Sequence, residues 1–126
     1  MERERIMTCK ELNKKLLKTF PILTEAYYAE TSWQEGDDTG SHLIFEDVFV
    51  PFIQEQFSNQ HVETLTKIFD FIENLLALDD SYINEVITFS VLEPLIFTDD
   101  TDSSYALHFS KPKTLSLIAQ IVNANE

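Results

Sequence analysis

The chain has few of the residues that build tight turns, disulfides or zinc sites. Its 126 residues include two glycines, four prolines and one cysteine. Folds made only of strands use many turn residues, so this scarcity favours helices. The single cysteine, Cys9, excludes an intramolecular disulfide and suits a reducing compartment. Zinc sites need close pairs of cysteine and histidine, and the sequence has none.

The sequence also lacks the apolar stretches that direct a protein into or across a membrane. The first residues, MERERIMTCKEL, contain no apolar region of a signal peptide. No apolar run reaches the roughly 18 residues needed to span a bilayer. These features predict a cytoplasmic protein without a membrane partner.

Catalytic and ion-binding motifs are missing as well. The three histidines, His42, His61 and His108, are scattered, and two glycines cannot form a phosphate-binding loop. The acidic stretch 99–104 resembles the start of a calcium loop, but it lacks the required glycine and places Lys111 where a bidentate glutamate is needed. The sequence therefore predicts neither an enzyme nor a protein that binds a metal or a cofactor.

Acidic residues dominate what is present. The net charge is −13, and residues 1–20 alone carry six of the nine basic residues against three acids, a net of +3. The remaining residues carry three lysines and nineteen acids, a net of −16. A body this acidic repels nucleic acid and attracts basic proteins, although such a charge can also serve solubility alone.

The hydrophobic pattern predicts an all-α fold. Hydrophobic residues make up 44% of the chain, which suits one domain, 1–126, with a substantial core. We expect a single compact domain of about five to seven helices around a central helix, 82–96, whose apolar residues cover nearly the whole circumference. Thr8 and Glu11 form a capping box for the first helix. Ser81 is expected to cap the central helix, and Ser110 the last one.

The sequence leaves one segment, 42–57, open between helix and strand. Residues 42–57 are rich in β-branched side chains, as in a strand, but Pro51 argues against a central strand. We favour a helix that Asp47 caps. The acidic stretch 98–104 is expected to form a turn.

The loop 31–41, TSWQEGDDTGS, holds both glycines and the only tryptophan. Trp33 either folds back onto the core, which we favour, or anchors an interface, since tryptophan is enriched at binding hot spots. The helix predicted at 61–78 places three acids opposite its apolar face, where they point to solvent or to a partner. The candidate partner-binding residues are Trp33, Glu35, Asp37, Asp38, Glu63, Asp70 and Glu73.

Glu93 is unusual because it lies on an apolar arc of the central helix. A buried carboxylate without a partner costs several kcal/mol, so we expect a hydrogen-bonded structural acid. The alternative is an acid that lines a groove.

Two stretches, HLIFEDVFVPFI (His42–Ile53) and KIFDFIENLLALDDSYINEVITFSVLEPL (Lys67–Leu95), resemble small acidic helical proteins of Gram-positive bacteria. Those proteins are encoded beside polymorphic toxins and are presumed to be immunity proteins. The resemblance implies a cytoplasmic protein that binds and blocks a toxin domain, often a basic nuclease, by occluding it. Charge steering by an acidic surface suits such a partner. The second hypothesis is a structural or adaptor module that self-associates.

Overall fold

A computed structural model describes residues 6–98 and 100–124 of the chain. Within these residues the backbone forms seven helices and no strand, packed as one compact domain, which confirms the all-α prediction. None of these helices has the length and hydrophobicity to cross a membrane. The helices are α1 (Cys9–Thr19), α2 (Thr24–Thr31), α3 (Ser41–Ile44, Phe45–Phe49 and Val50–Ser58), α4 (Val62–Leu76), α5 (Ser81–Val86, Ile87–Leu92 and Glu93–Thr98), α6 (Asp100–Phe109) and α7 (Pro112–Ala124).

Helix α1 begins with the predicted capping box. The backbone N–H of Glu11 donates to the Thr8 hydroxyl at 3.2 Å, and the Thr8 N–H donates to the Glu11 carboxylate at 3.1 Å. Two of the unpaired donors at the start of the helix are thereby satisfied. The helix ends at Thr19, and Pro21 starts a short 3₁₀ turn, Pro21–Leu23, that leads into α2.

Helices α3 and α5 each contain a π-helical segment just before a proline. Phe45–Phe49 precedes Pro51, and Ile87–Leu92 precedes Pro94. A proline inside a straight α-helix lacks the N–H donor and clashes with the carbonyl four residues earlier. The wider turn, with hydrogen bonds from i to i+5, lets each helix continue past its proline.

The helix expected at 42–57 is thus confirmed, but its predicted start is wrong. Helix α3 begins at Ser41, and Asp47 lies inside its π-helical segment as an exposed residue. Asp47 was expected to cap the helix because Pro51 then falls in the first turn. The structure differs because the π turn admits Pro51 in the middle of the helix.

The two π-helical segments pack against each other at the centre of the domain. Phe49 of the first π-helical segment belongs to an aromatic cluster, in which Phe20 and Phe49 each pack edge-on against Phe71 at ring separations of 5.5 and 5.8 Å. Helix α5 is central, as predicted, but it is not buried all round. Phe89 is 56% exposed and Phe97 is 53% exposed.

The connection between α4 and α5 is tight, but its cap differs from the prediction. Asp79 has a φ of +55°, in the left-handed region. Asp80, not Ser81, is the N-cap of α5, because its carboxylate accepts from the Ile83 N–H at 3.0 Å. The second oxygen of Asp80 accepts from the Met7 N–H at 2.6 Å, which ties the segment before α1 to the start of α5.

The end of the chain differs from the prediction at two places. Residues 100–104 belong to α6 instead of an acidic turn, while Asp99 lies outside the described residues. The Ser110 hydroxyl donates to the Ala106 carbonyl at 2.5 Å, so Ser110 closes α6 and does not cap α7.

Candidate protein-binding surface

Trp33 projects from the surface in the loop between α2 and α3. Its side chain is 69% exposed, so the favoured expectation that it folds back onto the core is wrong. Glu35, Asp37 and Asp38 are exposed in the same loop, the last two in a short 3₁₀ turn, Gly36–Asp38. The loop presents a large aromatic side chain close to three acids, as an interface anchor requires.

Hydrogen bonds to buried groups anchor this loop to the body of the protein. The Asn13 side-chain amide donates to the Thr39 carbonyl at 2.9 Å, and the Thr39 hydroxyl donates to the Gly36 carbonyl at 2.7 Å. Asn13 is fully buried and Thr39 is 1% exposed. Gly36 has a φ of +61°, which glycine adopts without the steric cost that a side chain would add. A loop fixed in this way loses little conformational entropy when it binds a partner.

Asp37 is held by Tyr27, a residue that the sequence gave no reason to select. The Tyr27 hydroxyl donates to the Asp37 carboxylate at 3.0 Å. Burial, together with the hydrogen bond and charge of Asp37, raises the pKa of Tyr27 to about 12. The phenol therefore stays protonated and remains a donor over the whole physiological range. Asp37 supports the loop, whereas the side chains of Glu35 and Asp38 point to solvent.

The acidic face of α4 carries Glu63 and Asp70, and both are exposed. Asp70 lies 3.4 Å from the Lys111 ammonium group, with the side chains 52% and 46% exposed. A pair this exposed contributes little to stability, so a partner can replace it at small cost. These two residues occupy the surface that the sequence predicted for them.

Glu73 does not act as a solvent-facing acid, and that part of the expectation is wrong. Its carboxylate accepts from the backbone N–H groups of Lys113 at 2.9 Å and Thr114 at 3.0 Å, and from the Thr114 hydroxyl at 2.9 Å. It thus caps the N-terminus of α7 from a neighbouring helix, in the role that Ser110 was expected to fill. Burial alone would raise the pKa of Glu73, but the N–H donors of Lys113 and Thr114 outweigh it and lower the pKa.

Different supports hold the loop and the acidic face of α4. The hydrogen bonds of the loop run to Asn13 of α1 and Tyr27 of α2. Those of the α4 face run to the start of α7, through Glu73, and to Lys111. The loop, defined by Trp33, Glu35, Asp37 and Asp38, and the α4 acids, Glu63 and Asp70, are therefore two patches with independent supports.

The histidines of the described chain make structural contacts. His42 Nδ1 lies 2.9 Å from the Ser90 hydroxyl, between α3 and α5, and Ser90 is only 4% exposed. His61 Nδ1 lies 2.7 Å from the Gln56 amide oxygen. Among residues 6–98 and 100–124, no group of three or more histidine, cysteine or acidic side chains is placed to hold a metal ion.

Glu93 lines a groove, which was the second of the two alternatives that the sequence left open for it. Its side chain is half-buried and lines a groove between α5 and α7. In the described part of the chain its carboxylate has no hydrogen bond or ion pair, so the expectation of a hydrogen-bonded structural acid is wrong. Phe89 lines the same groove, and sequence reasoning missed it because the apolar pattern assigned it to the core. Pro94 is the feature of the sequence that could have indicated the exposure of Phe89, since a proline inside a helix indicates a local change of register.

Comparison with known proteins identifies a family for most of the chain. Residues 13–123 match the family described as Domain of unknown function (DUF7674). No curated protein and no solved structure matches the chain.

Proposed function

We propose that this chain, which belongs to the DUF7674 family of domains of unknown function, is a non-catalytic protein-binding module that docks a basic protein. The observation that carries the proposal is Trp33, 69% exposed among acids on a loop anchored to buried groups. An exposed tryptophan costs solubility, whereas in an interface it supplies a large rigid contact.

Charge supports the choice of a basic partner. The chain has a net charge of −13, and Glu35 and Asp38 of the loop and Glu63 and Asp70 of α4 are exposed. Such a field accelerates association with a cationic partner and repels nucleic acid and anionic membranes.

The more specific role that we propose is that of an immunity factor. It rests on the resemblance of 42–53 and 67–95 to presumed immunity proteins, and on the fit between an acidic surface and a nuclease site built for a polyanion. In this role the protein acts in the cytoplasm, where it occludes a toxin domain by covering its basic site.

A self-associating adaptor is the second candidate. The exposure of Phe89 and Phe97 on the central helix favours it, because a second copy would bury them. A sedimentation measurement separates the two candidates: a stable homodimer with no affinity for a basic protein would favour the adaptor.

The test uses the product of the neighbouring gene as the partner, where that gene encodes a toxin domain. Trp33 is the only tryptophan of the chain, so its fluorescence reports binding at the loop directly. Stopped-flow association is measured at roughly 0.02 and 0.15 M salt, over which the screening length shortens to about 8 Å. We expect the association rate to fall steeply with salt, and a flat rate would remove charge steering from the proposal.

The two patches are tested with separate variants of equal charge. Glu35→Gln with Asp38→Asn removes two of the three acidic charges of the loop and leaves the Tyr27–Asp37 hydrogen bond intact. Glu63→Gln with Asp70→Asn neutralises the α4 face and leaves the cap by Glu73 intact. Glu46→Gln with Glu55→Gln is the matched control, since both residues are exposed on α3. At least one patch variant should slow association severalfold and lose protection of cells against the toxin. If the control loses as much, neither patch is the site.

A further inference from the structure

A groove of about 310 Å³ lies between α5 and α7, and no residue of the two acidic patches lines it. Four apolar residues, two carboxylates and three uncharged polar residues line it, and no lysine or arginine of the described chain does so. Its volume is at the lower end of the range of binding pockets, which suits one or two inserted side chains. The lining residues that matter here are Glu85, Phe89, Glu93, Leu117, Ile121 and Ala124.

Phe89 is placed against the usual preference of its residue type. It is 56% exposed, although the neighbouring Val86, Ile87 and Val91 on the same helix are fully buried. Burying a phenylalanine removes roughly 150–250 Å² from water, so its exposure leaves a large apolar surface available to a partner. The exposed ring forms one wall of the groove.

The π-helical segment of α5 explains why two acids flank this ring. In a straight α-helix, residues eight positions apart are rotated by about 80° from each other. In α5 the Glu93 N–H donates to the Thr88 carbonyl, five residues earlier, so each residue turns through a smaller angle. The rotation between Glu85 and Glu93 is thereby reduced, and both line the groove with Phe89 between them.

The two carboxylates have unused acceptor capacity. In residues 6–98 and 100–124 neither Glu85 nor Glu93 makes a hydrogen bond or an ion pair, and Glu93 is half-buried. A partly desolvated carboxylate beside apolar surface gains most from a cation that approaches it. The adjoining depression contains Lys113 near Asn84, so the Glu93 end of the groove is the more electronegative one.

We propose that this groove docks a basic amphipathic helix of a partner protein. The apolar side chain of that helix packs against Phe89, Leu117 and Ile121, and its Lys or Arg residues pair with Glu85 and Glu93. Eight residues of α5 span about 12 Å, close to two turns of a partner helix. The fitting pattern is a basic residue at i, an apolar residue at i+3 or i+4, and a basic residue at i+7. The proposal does not depend on the Trp33 loop, and either can fail alone.

The first test selects ligands without assuming a partner. A displayed library of random peptides of about 16 residues is selected on the wild-type chain and counter-selected on the Phe89→Ala variant. We expect enriched peptides to carry the basic–apolar–basic spacing at helical positions. Enrichment of acidic or uncharged peptides, or no enrichment that depends on Phe89, would overturn the proposal.

The second test measures affinity for the most enriched peptide by fluorescence anisotropy. We expect Phe89→Ala to weaken binding about tenfold and Glu93→Gln about fivefold, since one is the apolar wall and the other the charge partner. Phe97→Ala is the matched control, because Phe97 is also exposed on α5 but does not line the groove. Trp33→Ala should likewise leave the affinity unchanged.

Two results would overturn the assignment of the groove to a basic helix. One is equal loss of affinity in Phe89→Ala and Phe97→Ala, with circular dichroism showing both variants folded. The other is a wild-type homodimer in sedimentation that Phe89→Ala dissociates, because a second copy would then occupy the groove.

Discussion

At the scale of single residues, Glu73 illustrates how a helix start is stabilised by a distant side chain. Three donors from Lys113 and Thr114 meet its carboxylate, two of them backbone N–H groups of α7. We expect Glu73→Ala to lower the free energy of unfolding by about 1–2 kcal/mol, as the loss of an N-cap does. Asp70→Asn, which removes only an exposed ion pair, should change it by no more than about 0.5 kcal/mol. Urea denaturation of both variants measures the difference, and equal effects would contradict the capping role.

The same residue should make stability depend on pH. Its N–H donors lower the pKa of Glu73 below its ordinary value of 4.5, so the folded state holds the proton less tightly than the unfolded state. The stabilisation is therefore complete above pH 4.5 and disappears as the pH falls through the folded pKa. We expect the unfolding free energies of the wild type and Glu73→Gln to converge below that point. A difference that stays constant from pH 7 to acid would show that ionisation of Glu73 is irrelevant.

At the scale of helices, two adjacent residues, Asp80 and Ser81, are candidates for the N-cap of α5. Asp80 accepts from the N–H groups of Ile83 and Met7, whereas Ser81 is an exposed first residue of the helix. We expect Asp80→Ala to lower the unfolding free energy by about 1–2 kcal/mol and Ser81→Ala by less than about 0.5 kcal/mol. Thermal and urea unfolding measure both, and the reverse order would restore the cap that the sequence suggested.

At the scale of the whole molecule, basic and acidic residues are segregated along the sequence. The lysines Lys10, Lys14, Lys15 and Lys18 of α1 are exposed and make no ion pair with the acids of the described chain. With a net charge of −13, repulsion among acids should outweigh the few attractive pairs. We expect the Tm to rise by roughly 2–6 °C between about 0.01 and 0.15 M sodium chloride, because salt screens that repulsion.

Two charge variants with intact cores provide the control. Lys14→Gln with Lys18→Gln makes the net charge −15, from −13 − 2, and should steepen the salt dependence. Glu46→Gln with Glu55→Gln makes it −11, from −13 + 2, and should flatten it. A Tm that falls as salt is added would mean that attractive pairs dominate instead.

Local patterns in the sequence were sufficient to predict the capping box of Thr8 and Glu11 and the helices other than α6, whose first residues were expected to form a turn. Those features depend on residues within one or two turns of each other, where periodicity and side-chain hydrogen bonding are read directly. The exposed position of Glu63 and Asp70 followed from the same periodicity. The start of α3 and the exposure of Phe89 did not. The π turn of α3 admits Pro51 in the middle of the helix, and Phe89 lies inside the π turn of α5, where the wheel of a straight α-helix does not apply.

Only the tertiary structure decided which polar residues are structural and which remain available to a partner. Glu73 and Asp70 look alike on the helical wheel, yet Glu73 meets the start of α7, about 40 positions along the chain. Trp33 is exposed because the loop is anchored through Asn13 and Tyr27 instead of through the indole ring. Such contacts join residues far apart in sequence, so their pairing depends on how the helices pack. That packing minimises the apolar area left in contact with water, which depends on the whole core and cannot be read from a local pattern.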